Sequence, residues 1–243
     1  MSDISILIPT LNEEERIGGL LKHLISLPHR EIIVCDGGSS DATLEICAKY
    51  PVQIVQSEPG RGRQLNSGAE IAAGEILLFL HADSWIEKII LDSIQQAVAQ
   101  GHDWGCCTMV FDKNTFFYKM VAFMSNLRSR WTSSCYGDQG IYCRRDVLRN
   151  RGGFPQWTFL EDVEFSRKMR RGSRAYIIPA QIITSARRFE IHGAWHTVFK
   201  MQIIKILFWL GWDPEQLARW YHTDQEVNHA DSSDYYEQSP TPG

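Results

Sequence analysis

The sequence predicts an α/β fold with a mostly parallel central sheet and helices on both faces. Three observations carry that expectation. Short apolar runs (Ile4–Ile8, Ile32–Cys35 and Ile76–Leu80) have the length of buried strands. Each is followed by a segment with helical spacing of apolar residues, the alternation that generates parallel sheets. Two of the runs end abruptly in acidic residues, at Asp36 and at His81-Ala82-Asp83. The carboxyl edge of such a sheet is where open α/β folds bind ligands.

The elements follow in order. After the first strand, Asn12 is placed to cap a helix starting near Glu13, with acids in its first turn. Leu20, Leu21, Leu24 and Ile25 give that helix its apolar face. The second strand ends at Asp36-Gly37-Gly38, and Asp41 caps the next helix. Val52–Val55 is a third strand, and Pro59-Gly60-Arg61-Gly62 opens a helix reaching Ala73. The strand at 76–80 and the His81-Ala82-Asp83 turn precede a helix near 87–99. Beyond it the pattern is less regular. Trp104–Phe111 reads as a strand, antiparallel or at an edge, and Phe116–Trp131 as an aromatic-rich helix. Gly137-Asp138-Gln139-Gly140 is a turn into Ile141–Cys143. A loop from Phe154 leads to Glu161-Asp162 and a helix through Phe165 and Met169. Tyr176–Ile178 and Ile182–Thr184 are two short strands, and 194–210 is an apolar helix.

Composition bounds the function. The chain has 243 residues, 44% hydrophobic and 22% charged, with a net charge of −4, so nothing points to nucleic acid. Residues 224–243 contain five acids and no Lys or Arg, which leaves +1 on the rest, and this tail is expected to be disordered. The six cysteines form no C-x-x-C pair and are expected to be reduced thiols of a cytoplasmic protein. A strand pattern begins at Ile4, so no signal peptide is expected, and no run of about 18 apolar residues spans a membrane. The expected organisation is a catalytic domain over 1–190, an apolar helical segment over 191–223 and the acidic tail.

Several residues suit work on a phosphorylated ligand. Asp36, at a strand end, can accept hydrogen bonds from a base or ribose, and Gly37 and Gly38 permit close backbone approach. Gly60-Arg61-Gly62-Arg63 suits phosphate at a helix N-terminus, although either arginine could be a solvated surface charge. Arg187 and Arg188 offer guanidinium forks to a diphosphate or to acidic site residues. Asp83 can hold a divalent cation against a diphosphate.

Six segments in order, ISILIPTLNEE, IIVCDGGSSDAT, GRGRQLNSGA, GEILLFLHADS, GDQG and FLEDVEF, resemble the family-2 glycosyltransferases of the GT-A fold over residues 3–190. The HAD, YGDQG and SARRFE forms are similar to a bacterial subgroup named for association with radical-SAM or selenium-related genes. The resemblance implies an inverting, hexosyltransferase-like enzyme using a UDP- or GDP-sugar donor with Mn²⁺ or Mg²⁺. The acceptor, a saccharide, lipid or small molecule, is left open. It implies that Pro9, Thr10, Asn12 and Glu13 hold the nucleobase and ribose. Gly60, Arg61, Arg63 and Asn66 then belong to a nucleotide-contacting segment. His81-Ala82-Asp83 stands where the family has Asp-x-Asp. Asp83 corresponds to the metal-binding acid, and His81 could bind ribose, metal or a neighbouring carbonyl. Asp162 corresponds to the general base, with Glu161 orienting the acceptor or the backbone. Both could instead be acids favoured by a helix N-terminus. Asp138 and Gln139 would line the acceptor side, or Asp138 could simply form a turn. His192 reads as a surface residue, with metal ligation the alternative.

The helix over 195–212 reads as packed on the domain or in a homodimer contact. A peripheral position on a membrane's inner face is its alternative. Two rival functions fit the sequence less well. A nucleotidyltransferase would show a Gly-rich, Arg- and Lys-bearing loop after the first strand, where this chain has Pro-Thr-Leu-Asn-Glu. A non-catalytic nucleotide-sugar scaffold would not need both Asp83 and Asp162.

Overall fold

A computed structural model describes residues 3–221. Among them runs a sheet of β1 (Ile4–Thr10), β2 (Glu31–Asp36), β3 (Gln53–Gln56), β4 (Ile76–Phe79), β5 (Ser84–Trp85), β6 (Trp104–Phe111), β7 (Ile141–Arg144) and β8 (Tyr176–Thr184). Their spatial order is β3-β2-β1-β4-β7-β6-β8-β5. The first four of that order are parallel. β7 runs antiparallel to both β4 and β6, while β8 lies parallel to β6.

Strand alternation sorts the core into two layers. Ile4, Ile6 and Ile8 of β1, with Ile32 and Val34 of β2, point to one face. There they meet α1 (Ile17–Leu24), Cys47 of α2 (Thr43–Cys47) and α4 (Lys88–Ala99). Leu7, Ile33, Cys35, Leu77 and Phe79 point to the other face. That face is covered from α3 (Arg61–Ile71), α6 (Arg145–Asn150) and α7 (Glu161–Met169). α5 (Phe116–Thr132) is pinned to β6 by Asn126, whose amide accepts from Met109 N–H and donates to Met109 O, both at 2.9 Å. All six cysteines are buried free thiols, and burial pushes Cys35 up to about 12 and Cys47 up to about 11.

Three expectations are corrected. β6 is antiparallel to β7, one of the two alternatives expected, but it is interior rather than an edge, because β8 pairs along its outer side. The two short strands at 176–184 are one strand. A register shift at Cys107/Thr108 admits Pro179, which cannot donate to a ladder, as a bulge does. Asn12 is not a helix cap: α1 starts five residues later, and Asn12 sits in the left-handed region at φ 55°. Its first turn accordingly holds none of the expected acids.

The β1–β2–α3 corner depends on Glu31. Burial would push its carboxyl up, but hydrogen bonds from Ser5, the Ala73 and Gly74 backbone and Gln53 hold it below the ordinary value. The stability it contributes is therefore present at neutral pH and lost as pH falls through the carboxylate range. Glu31→Gln should destabilise the protein at pH 7 by about 1 kcal/mol and by less near pH 3, in urea melts at the two pH values.

A second compact unit begins at Ala186. It contains α8 (Arg187–His192) and α9 (Ala194–Trp209), in which Lys200 is buried and donates to Tyr221 O at 2.9 Å. Among the described residues no helix is long and apolar enough to cross a membrane. The acidic tail at 224–243 lies outside the described residues.

Candidate functional site

The parallel strands β1 and β2 end level with one another, Thr10 opposite Asp36, and the loops that follow are laced together. Asn12 Oδ1 accepts Ser40 N–H at 2.9 Å, and Asn12 N–H donates to Ser39 Oγ at 3.0 Å. Glu13 N–H donates to Thr43 Oγ1 at 2.8 Å. Asp41 and Glu14 exchange bonds across the gap, Glu14 N–H to Asp41 Oδ2 at 3.1 Å and Ala42 N–H to Glu14 Oε2 at 2.8 Å. Asp41 also accepts Thr43 N–H at 3.0 Å, a local turn bond just before α2. Glu13 pairs with Arg16 at 3.2 Å.

Asp36 is fully buried, and its own loop occupies it. Oδ2 accepts the N–H groups of Gly38 at 2.8 Å and Ser39 at 3.0 Å, while Oδ1 accepts the Ser39 hydroxyl. Gly38 takes φ 92°, which lets the chain curl around the carboxylate. Pro9 and Thr10 are both buried, and Thr10 Oγ1 has no hydrogen-bond partner.

The α3 segment behaves as a clamp. Gln64, which the sequence reading did not single out, is buried and donates to Thr10 O at 2.7 Å and Cys35 O at 2.9 Å, tying the ends of β1 and β2. Asn66 makes a paired bond with the Phe154 backbone, 2.9 Å in each direction. Arg61 Nε stands 3.4 Å from Glu161 Oε1, joining the start of α3 to the start of α7. Arg63 is an outward residue pairing with Glu58 at 3.0 Å, as in its surface-charge reading. Gly60 takes φ 129° just before the helix. At Gly62 a Cβ would run into Pro155 O, so α3 approaches the 154–160 loop as only glycine allows. Gly62→Ala should destabilise the fold by about 1–3 kcal/mol, measured by urea denaturation.

Asp162 and His81 both reach the turn at Gly137–Gln139, a single 3₁₀ turn before β7. Asp162, in the first turn of α7, accepts Gly137 N–H on Oδ2 at 2.9 Å and its neighbour Val163 N–H on Oδ1 at 2.7 Å. The His81 ring packs against the same glycine, since a Gly137 Cβ would fall 2.5 Å from His81 Nε2. Asp83 Oδ1 and Ser84 Oγ, just past β4, are buried with no hydrogen-bond partner. Glu161 is buried beside Asp162. Asp138 lies half-buried in the turn.

Gln139 is fully buried and faces inward. Its Oε1 accepts Arg128 at 2.7 Å and Tyr136 N–H at 3.2 Å, and its Nε2 donates to Ser129 Oγ at 3.1 Å. Arg128 also lies 3.4 Å over the Tyr136 ring and donates to Ser134 O at 3.2 Å. Burial pushes the Tyr136 phenol up to about 12; Arg128 opposes that, and the charges of Asp162 and Asp138 add to it. Tyr136 therefore stays protonated at neutral pH.

Among the described residues no three His, Cys, Asp or Glu side chains converge on one point. Arg187 opens α8 in the second unit. The side chains of Arg188 and His192, both named from the sequence, lie outside the described residues.

Comparison with known proteins fixes what this architecture is. The poly(ribitol-phosphate) beta-N-acetylglucosaminyltransferase TarS of Staphylococcus aureus is 31% identical over 113 residues, 42% of this chain and 20% of TarS. The chain spans at most about half the length of such curated relatives, for example 49% of an uncharacterized Methanocaldococcus jannaschii protein and 33% of the putative glycosyltransferase EpsH of Bacillus subtilis. Two solved structures share the fold. A mannosyltransferase from Pyrobaculum calidifontis, in complex with GDP-Man and Mn²⁺, superposes with a TM-score of 0.66 at 18% identity over 99% of this chain and 76% of its own. S. aureus TarS in complex with UDP-GlcNAc gives a TM-score of 0.61 at 24% identity over 76% and 58% of the two chains. The α/β fold is thus of the GT-A type. Because the family model for glycosyl transferase family 2 matches residues 5–157, through both laced loops, the HAD segment and the Gly137 turn, this chain belongs to that family.

Proposed function

We propose that the chain transfers a sugar from a UDP- or GDP-sugar to a hydroxyl acceptor with inversion at the anomeric carbon, and that residues 1–190 carry this activity. The observation that carries the reading is the shared glycine. Asp162 bonds Gly137 N–H while His81 packs on the same residue, so the HAD segment, the turn and the carboxylate meet at one place.

Asp162 is the general base in this reading. Its carboxylate is fixed by two backbone N–H groups at the start of a helix, which orients it without neutralising it. It takes the acceptor proton as the acceptor oxygen bonds to the anomeric carbon and the bond to the diphosphate oxygen breaks. Glu161, paired with Arg61, positions the start of α7 beneath it. Thr10 and the laced 10–14 and 36–43 loops hold the nucleoside. Asp36 acts through the loop it organises, and Asn66 by holding the 154 loop. Gln139 is assigned a supporting role behind the turn, and Asp138 the acceptor side.

Asp83 fits a divalent cation. A carboxylate oxygen that is buried and unpartnered costs about 1–3 kcal/mol unless something binds it. Among the described residues no cluster of three protein ligands forms, so Asp83 would hold such a cation together with the bound ligand's oxygens and water, as Mg²⁺-type sites commonly do. When bound, a cation there supplies positive charge to the leaving diphosphate.

Incubation with a panel of UDP- and GDP-sugars and simple hydroxyl acceptors should release the nucleoside diphosphate and give, from an α-linked donor, a β-linked product visible by NMR. A product of retained configuration contradicts the base assigned to Asp162.

A further inference from the structure

Helix α5 is apolar on its outer side as well as at its inner one. Its inner side buries Tyr118 and Ala122 beside two polar residues, Asn126 bonded to β6 and Ser129 bonded to Gln139. Its outer side is apolar: Phe116 is 84% exposed, Phe123 63%, Met124 58% and Trp131 74%, with Met120 and Leu127 half-buried between them. At 3.6 residues per turn these six fall within a stripe about 100° wide. It runs about 24 Å along the helix. Such a stripe is larger than the scattered apolar residues that solvent-facing helices tolerate.

The charge on the stripe's own helix has one sign. Residues 116–132 contain Lys119, Arg128 and Arg130 and no acid. Residues 165–174 add five basic residues, of which Arg167 is paired with Glu164 and Lys168 is bonded to the Gly152 and Gly153 carbonyls. Arg170 donates to Thr132 O at 2.9 Å and Arg174 to Trp131 O at 3.2 Å, so both guanidinium groups are drawn up around Trp131. Arg171 and Arg130 are exposed, and none of Arg130, Arg170, Arg171 and Arg174 pairs with a carboxylate among the described residues.

We propose that α5 docks on an anionic lipid surface, its aromatic stripe entering the headgroup region and the arginines around Trp131 meeting lipid phosphates. Aromatic residues with a basic rim are what an interfacial helix presents, and each cation near an anionic surface adds to binding. A second copy of the chain is a poor occupant. Pairing two such stripes in parallel about a two-fold axis would bring like-charged arginine collars together, and antiparallel pairing would offer them no acid, because residues 116–132 contain none. The surface is independent of the glycosyl-transfer reading and differs from the 195–212 helix singled out from sequence. Since α5 leads directly into the Gly137 turn, docking would bring the lipid surface near the acceptor side of the site.

The test is co-sedimentation of the full chain with phosphatidylcholine vesicles, with and without phosphatidylglycerol. The protein should bind the phosphatidylglycerol-containing vesicles and release as salt rises. Phe123→Glu combined with Trp131→Glu should weaken that binding about tenfold or more, with an unchanged circular dichroism spectrum. Arg171→Glu, on a different element, should weaken it by roughly fivefold or more. Failure of the folded wild-type chain to bind anionic vesicles overturns the proposal. So does binding that survives all these substitutions and is lost only on Trp209→Glu. A dimer in light scattering that the α5 substitutions split, with no vesicle binding, would show a second copy to be the occupant and equally overturn it.

Discussion

Asp162→Asn is expected to leave nucleotide binding intact while lowering sugar transfer by about 10²–10⁴-fold, the range a positioned general base contributes. The amide retains an oxygen able to accept Gly137 N–H, so the turn keeps its place. What it loses is the capacity to take a proton. The helix N-terminus also loses a favourable charge, which costs about 0.3–1 kcal/mol of stability and should appear as a small drop in melting temperature. A steady-state assay beside a nucleotide titration separates the two effects. Unchanged turnover would remove Asp162 as the base, whatever happened to stability.

Asp83→Ala should do the reverse. Its carboxylate contributes a buried oxygen with no partner, so removing it should cost the empty protein little and could raise its stability by about 1 kcal/mol. The expected loss is in function: the Mn²⁺-dependent part of nucleotide diphosphate binding should fall by about 10²–10³-fold, because Asp83 is the carboxylate that would hold the cation. Stability gained as binding is lost is the pattern of a side chain kept for a ligand. Titrations with and without Mn²⁺, paired with thermal melts, give both readouts. An undiminished Mn²⁺ effect in the variant would exclude Asp83 as a ligand.

The parallel half of the sheet was legible because each buried strand there is a short apolar run closed by polar residues. Burial on both faces writes itself into β1, β2 and β4 in that way. The acids at the strand ends followed from the same pattern. β8 was not legible as one strand, because Pro179 and the polar Gln181 interrupt its apolar run and only the bulge against β6 reunites it. β5, two residues long, is too short to carry any period. Asn12 illustrates a different failure. A residue of capping type before a run of acids reads as a helix start, but its partner is Ser40 on the next loop, and a tertiary bond overrode the local signal.

The site divides similarly. Asp83 and Asp162 stand out by position, just past a strand end and in the first turn of a helix. Gln64 and Arg128 carry no local signal, because their bonds reach Thr10 and Gln139 across the fold, while Gln139, read from GDQG as lining the acceptor side, turns inward to Arg128 and Ser129. An amide in a helix looks solvent-facing in sequence, and only the packed structure reveals that its donors serve the ends of two strands. The GRGR segment held both kinds. Gly62 is fixed by a close approach to Pro155, Arg61 by a buried carboxylate, and Arg63 points outward to Glu58.

The central claim is that the carboxyl edge of β1, β2 and β4 is a nucleotide-diphosphate-sugar site. Calorimetric titration of the wild-type chain with UDP and with GDP, each in the presence and absence of Mn²⁺, tests it most directly. Saturable binding of one nucleotide in preference to the other, strengthened by Mn²⁺, is the expected result. Absence of binding by both nucleotides with Mn²⁺ present would contradict it.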